Sequence, residues 1–73
     1  MEKNITIRTN DKDLADDLHT ALTVYFGRHI NYTWYDGAWQ LGVEADEAEI
    51  DSIAEELRNC DDFKEGVINF TID

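Results

Sequence analysis

Two runs of alternating residues flank one tight turn, and this constrains the fold more than any other feature of the chain. HINYTWY (29–35) sets Ile30, Tyr32 and Trp34 against Asn31, Thr33 and Tyr35. AWQLGVE (38–44) sets Trp39, Leu41 and Val43 against Gln40, Gly42 and Glu44. A period of two is the pattern of half-buried strands. Between the runs lies Asp36-Gly37, the kind of pair favoured in a type I′ turn, where both central residues need φ > 0. A two-residue loop pairs 35 with 38, 34 with 39, 32 with 41 and 30 with 43. Trp34 then meets Trp39 on the apolar face, beside Tyr32 and Leu41, so turn chemistry and alternation agree on one register.

The remaining elements follow from periodicity. NITIR (4–8) carries Ile5 and Ile7 on one face and reads as a strand. Leu14, Leu18, Ala21, Leu22 and Tyr25 recur at helical spacing, which predicts a helix over roughly 11–26. Asn10 is its expected cap, Asp13 the far half of a capping box, and Gly27 its stop. Asp46 is expected to cap a second helix, with Glu49 completing the box. Ile50, Ile53, Ala54 and Leu57 form its apolar stripe, with Cys60 at the edge. DDFKEG reads as a loop, and VINFTI (67–72) as a last strand. The order β-α-β-β-α-β is that of the ferredoxin-like sandwich. The expected fold is α+β: a four-stranded antiparallel sheet, first and third strands central, with two helices on one face. The fold name implies no iron–sulfur cluster, because the cysteine ligands are absent.

A chain of 73 residues is read as one domain, 1–73. It carries 17 acids against six bases, a net charge of −11. Such a charge repels nucleic acids and anionic membranes, so the expected partners are cationic. The single cysteine, Cys60, can form no internal disulfide, which suits a reducing compartment such as the cytoplasm. Neither a signal-peptide pattern nor an apolar run long enough to span a bilayer is visible.

The charge is concentrated. DEAEIDSIAEELRNCDD (46–62) holds eight carboxylates among seventeen residues, with Arg58 the only cation. If Ile50, Ile53 and Leu57 face the sheet, Glu47, Asp51 and Glu55 fall on one flank of the helix and Glu49 and Glu56 on the other. Each like-charge pair one turn apart costs roughly 0.2–0.5 kcal/mol. On the first helix Asp13, Asp16 and Asp17 lie off the apolar stripe, with Lys12 the only base. Both helices cover the same side of the sheet, so these acids share a face, extended by Glu44, Asp61, Asp62 and Glu65. Lys3, Arg8 and Arg28 are expected elsewhere, near strand ends. The other sheet face, with Thr6, Arg8, Asn31, Thr33, Tyr35, Gln40, Asn69 and Thr71, is mostly neutral, unlike a halophilic surface acidic all round. The functional reading is a surface that occupies the basic, nucleic-acid-binding cleft of another protein as a decoy for DNA. The bland reading is a solvated face that keeps a small protein soluble.

A very small, strongly acidic α/β chain with two acid-coated helices resembles phage-encoded anti-CRISPR proteins, some of which inhibit type I surveillance complexes by imitating DNA. The resemblance covers the whole chain and rests on size, charge and element order. No shared motif carries it, so no residue role transfers by position. It implies an inhibitor in the host bacterial cytoplasm that blocks target DNA binding. The implied partner is a basic nucleic-acid-binding protein, such as a subunit of a type I CRISPR complex. Glu47, Asp51 and Glu55 are the expected main contacts, with Glu49, Glu56, Asp13, Asp16 and Asp17 adding to the field.

Other constellations are weaker. Asp11-x-Asp13 and Asp61-Asp62-x-x-Glu65 do not match the twelve-residue calcium loop. His19 and His29 lack zinc-site spacing, and Cys60 sits among carboxylates near a helix end, surroundings that oppose a nucleophilic thiolate. The expectation is a non-enzyme without cofactor or metal. Trp34, Trp39 and Tyr32 read first as core, and Trp34 and Trp39 beside Tyr35 at the hairpin tip read second as a binding hot spot. The alternative function is a regulatory or ligand-binding module that dimerises through edge strands such as VINFTI. A monomer or weak homodimer is expected.

Overall fold

The computed structural model describes residues 1–73. The elements in order are β1 (Glu2–Thr9), α1 (Lys12–Phe26), β2 (Asn31–Tyr35), β3 (Ala38–Asp46), α2 (Glu47–Arg58), α3 (Asp61–Lys64) and β4 (Ile68–Ile72). The strands form one antiparallel sheet in the order β2-β3-β1-β4, with β1 and β3 central. This is the ferredoxin-like α+β arrangement, with both main helices packed on one face of the sheet.

The hairpin follows its turn chemistry. Asp36 and Gly37 have φ of 54° and 79°, and Tyr35 pairs with Ala38, Trp34 with Trp39 and Tyr32 with Leu41. Alternation then decides which side chains are buried. Ile5 and Ile7 of β1, Leu41, Val43 and Ala45 of β3, and Ile68 of β4 point toward the helices. They meet Ala15 and Leu22 of α1 and Ile50, Ile53, Ala54 and Leu57 of α2 in one core. Each fully buried side chain such as Ile5, Ile7, Leu41 or Ile50 contributes roughly 1.5–3 kcal/mol.

Three local expectations need correction. Asp11, not Asn10, caps α1: its carboxylate accepts from the Leu14 N–H at 3.1 Å. The buried Thr9 hydroxyl accepts from the Asp11 N–H, which turns the chain one residue later than the capping-box pattern implied. Asp46 occupies the cap position of α2 but makes no side-chain cap bond. It is still paired with Glu2 in the sheet, and the Glu47 N–H is taken by the Met1 carbonyl at 2.9 Å, so strand and helix join without a loop. Finally, the expected loop at 61–66 contains the single helical turn α3, whose Phe63 packs on Phe70 of β4 with ring centroids 5.5 Å apart. No helix is long and apolar enough to cross a membrane.

Candidate functional site

The helical layer holds all eight predicted contact residues, but not on equal terms. Glu47, Asp51 and Glu55 share a flank of α2, as their four-residue spacing requires. Lys3, however, is not remote from them. On the odd-numbered, helix-facing side of β1, its ammonium lies 3.1 Å from Glu47 and 3.6 Å from Asp51. The hydrogen bond to Glu47 is the main influence holding the Lys3 pKa above its ordinary value, against partial desolvation. Glu55 is exposed with no lysine or arginine partner, and so is the freest of the three.

On α1 the acids divide. Asp13 and Asp17 are exposed without ion partners. Asp16 turns toward β2, where it accepts a 2.6 Å hydrogen bond from the Tyr32 hydroxyl and lies 3.1 Å from the Lys12 ammonium. These contacts, the tyrosine first, hold its carboxyl below the usual carboxylate range. Tyr32 is pushed up to about 12 by desolvation and by the adjacent Asp16. Asp16 is thus tied to the sheet rather than presented outward. Glu44 does not extend the helical face. Opposite Asn4 in the β1–β3 ladder, it lies on the open side of the sheet, and Arg28 bonds its backbone carbonyl.

Among the carboxylates only Glu47, Asp51 and Asp16 meet a lysine, and Asp46 meets the N-terminal amine at 3.9 Å. The bases are drawn off in other ways as well. Lys12 stands over the Trp39 ring, Arg28 over Phe26 and Arg58 over Phe70. The predicted outward strand residues, Thr6, Arg8, Asn31, Thr33, Tyr35, Gln40, Asn69 and Thr71, lie on the side away from the helices. That side also carries Glu2 and Glu44 against Arg8, so it is acidic as well, though less densely than the helical layer.

The two histidines lie near each other, with ring centroids 6.4 Å apart. His19 stacks on Tyr32 at 4.8 Å, His29 is exposed, and the half-buried Cys60 thiol lies 3.8 Å from Asp62. No group of three or more His, Cys, Asp or Glu side chains is arranged to hold a metal ion. The aromatic ladder Tyr32–Trp39–Trp34 runs out along the hairpin, leaving Trp34 53% exposed where α1 no longer covers the sheet.

One feature of this layer is not apparent from the charge pattern. Between α1 and α2 runs an apolar groove of about 330 Å3, floored by Ile7 and walled by Leu18, Ala21, Tyr25, Ile53 and Leu57. Its signal in the sequence is the C-terminal half of α1, where Ala21 and Tyr25 extend the apolar stripe beyond what the sheet covers. Tyr25 is 63% exposed. Comparison with protein-family models, curated proteins and solved structures finds no match to this chain.

Proposed function

We propose that the protein is an inhibitor that binds a basic, nucleic-acid-handling protein through the acidic side of its helical layer. It acts in the manner of anti-CRISPR proteins that keep target DNA from a type I surveillance complex. One observation supports this reading above others. The acids of two adjacent helices lie in one layer, most of them without a cationic partner, while the opposite sheet face sets Glu2, Glu44 and Arg8 among uncharged residues and is less densely acidic. Solubility alone requires charge but not its segregation. A basic cleft built for phosphates attracts such a layer at long range and holds it at contact. The protein carries out no chemistry of its own in this role and works in the cytoplasm of the cell whose defence it blocks.

The test is a pull-down from bacterial lysate containing a type I complex, repeated with excess duplex DNA and with raised salt. Recovery of a complex subunit, lost on adding either, is the expected result. Charge reversal of Asp51 and Glu55 together should weaken capture on the order of tenfold or more. Recovery that ignores DNA would move the contact away from the DNA channel. Absence of any basic partner at low salt would overturn the proposal and favour the edge-strand module.

A further inference from the structure

We propose that the groove between α1 and α2 seats a cationic amphipathic helix of the partner, so that recognition combines an apolar anchor with charge. This rests on the reading that the partner is basic, and it names the element that makes contact. The groove is near the lower end of pocket sizes, ~300–1,000 Å3, and it is open along one side. That suits side chains inserted from a helix lying across it, in the helix-in-groove mode with anchors at i, i+3, i+4 and i+7. A small-molecule ligand is disfavoured. The polar groups in the lining are few, Ser52, Glu56 and the Cys60 thiol on one side and the Tyr25 phenol on the other, and no built set of hydrogen-bonding groups orients a ligand.

Charge selects among helical partners. Glu56 lines the groove, and Glu49, seven residues earlier, lies on the same flank of α2. Seven residues of helix separate the two by about 10 Å along the axis. On α1, Asp17 precedes the wall residue Ala21 by one turn. None of these three acids has an ion partner. A second copy of this chain, with net charge −11, would be repelled from the same rim, and so would an anionic membrane. A helix with an apolar stripe and lysines or arginines seven residues apart on its flanks matches both the groove and the rim.

The probe is a fluorescent synthetic helix with leucines at i, i+3, i+4 and i+7 and flanking lysines, titrated against the intact protein by anisotropy. Two control peptides accompany it: one with alanine for each leucine, one with glutamine for each lysine. The expected result is that the leucine–lysine helix binds at least on the order of tenfold more tightly than either control. Ala21→Arg and Ser52→Arg, both at exposed groove positions, should reduce that affinity by a similar factor. Thr20→Arg, equal in charge but outside the lining, should reduce it less. Circular dichroism confirms that each variant is folded. Equal binding of the alanine–lysine peptide would overturn the groove proposal and leave the acidic-surface reading intact. Equal binding of the leucine–glutamine peptide would overturn the cationic occupant and remove support from that reading as well. Absence of binding by all three, or no effect of Ala21→Arg, would also overturn the groove, leaving the DNA-competed pull-down to decide the acidic surface.

Discussion

The Tyr32 hydroxyl of β2 donates a 2.6 Å hydrogen bond to the Asp16 carboxylate of α1. This bond fastens the first helix to an edge strand that has only one sheet neighbour. It also takes one acid out of the outward-facing set. Tyr32→Phe should lower the melting temperature by a few degrees near neutral pH. The sign of the pH dependence follows from the two shifts. The Asp16 pKa is depressed in the fold, so its contribution is present above the unfolded carboxylate pKa of about 4 and lost as pH falls through the folded value. The Tyr32 pKa is raised to about 12, so its contribution is present below about 10 and lost as pH rises toward 12. Melting curves of wild type and Tyr32→Phe should therefore converge in strong acid. A difference persisting there would mean that the lost oxygen matters through packing and not through Asp16.

Lys3 offers a change that acts oppositely on stability and on binding. It is the cation beside Glu47 and Asp51, and both pairs are partly exposed. Lys3→Met should lower the melting temperature slightly at low salt, with the difference vanishing at high salt, as expected of exposed ion pairs. The raised Lys3 pKa places its contribution below the ordinary lysine value, and that contribution is lost as pH rises through the folded value. The same variant should bind a basic partner more tightly, because it releases two carboxylates. Weaker binding would place Lys3 itself in the contact.

Added salt should stabilise the wild-type fold. Carboxylates one turn apart are about 5–6 Å from one another at Cβ, closer than the Debye length of about 10 Å at 0.1 M. Screening therefore continues to relieve their repulsion as salt rises beyond that concentration. Thermal melts in sodium chloride should show a rising midpoint, and a flat series would show that the acids do not strain the helices.

The hairpin turn predicts opposite outcomes at two glycines. Gly37 has φ +79°, and Gly37→Ala should cost about 1–2 kcal/mol because a Cβ is disfavoured in that region. Gly42 lies in regular strand, where an added Cβ would meet Asn31 Cβ at 3.6 Å, an ordinary contact. Gly42→Ala should be neutral or stabilising by about 0.4–1 kcal/mol, since it restricts the unfolded chain. Denaturant titrations of the two variants measure both signs, and a strongly destabilising Gly42→Ala would contradict the strand register.

Much of this molecule is legible in its sequence because much of it is governed by neighbours in the chain. Asp36-Gly37 dictates the turn, the turn dictates which residues of β2 and β3 face each other, and alternation dictates which of them are buried. Helical spacing likewise places Ile50, Ile53, Ala54 and Leu57 on one side of α2, which leaves its acids on the others. The exact start of α1 was less legible, because Asn10 and Asp11 are both good caps and the choice falls to the buried Thr9 hydroxyl.

What tertiary structure alone decided is how charges and grooves are shared between elements distant in sequence. Lys3 meets Glu47 and Asp51 only because Ile5 and Ile7 bring β1 beneath α2. Asp16 is withdrawn from the acidic face only because α1 packs over β3, within reach of Tyr32 on the neighbouring edge strand. The apolar groove exists only because α1 and α2 stand apart over Ile7 instead of closing on each other. Periodicity specifies the direction in which a side chain leaves its own helix or strand. The spacing between elements depends on the packing of the whole core, and so on all the buried side chains at once.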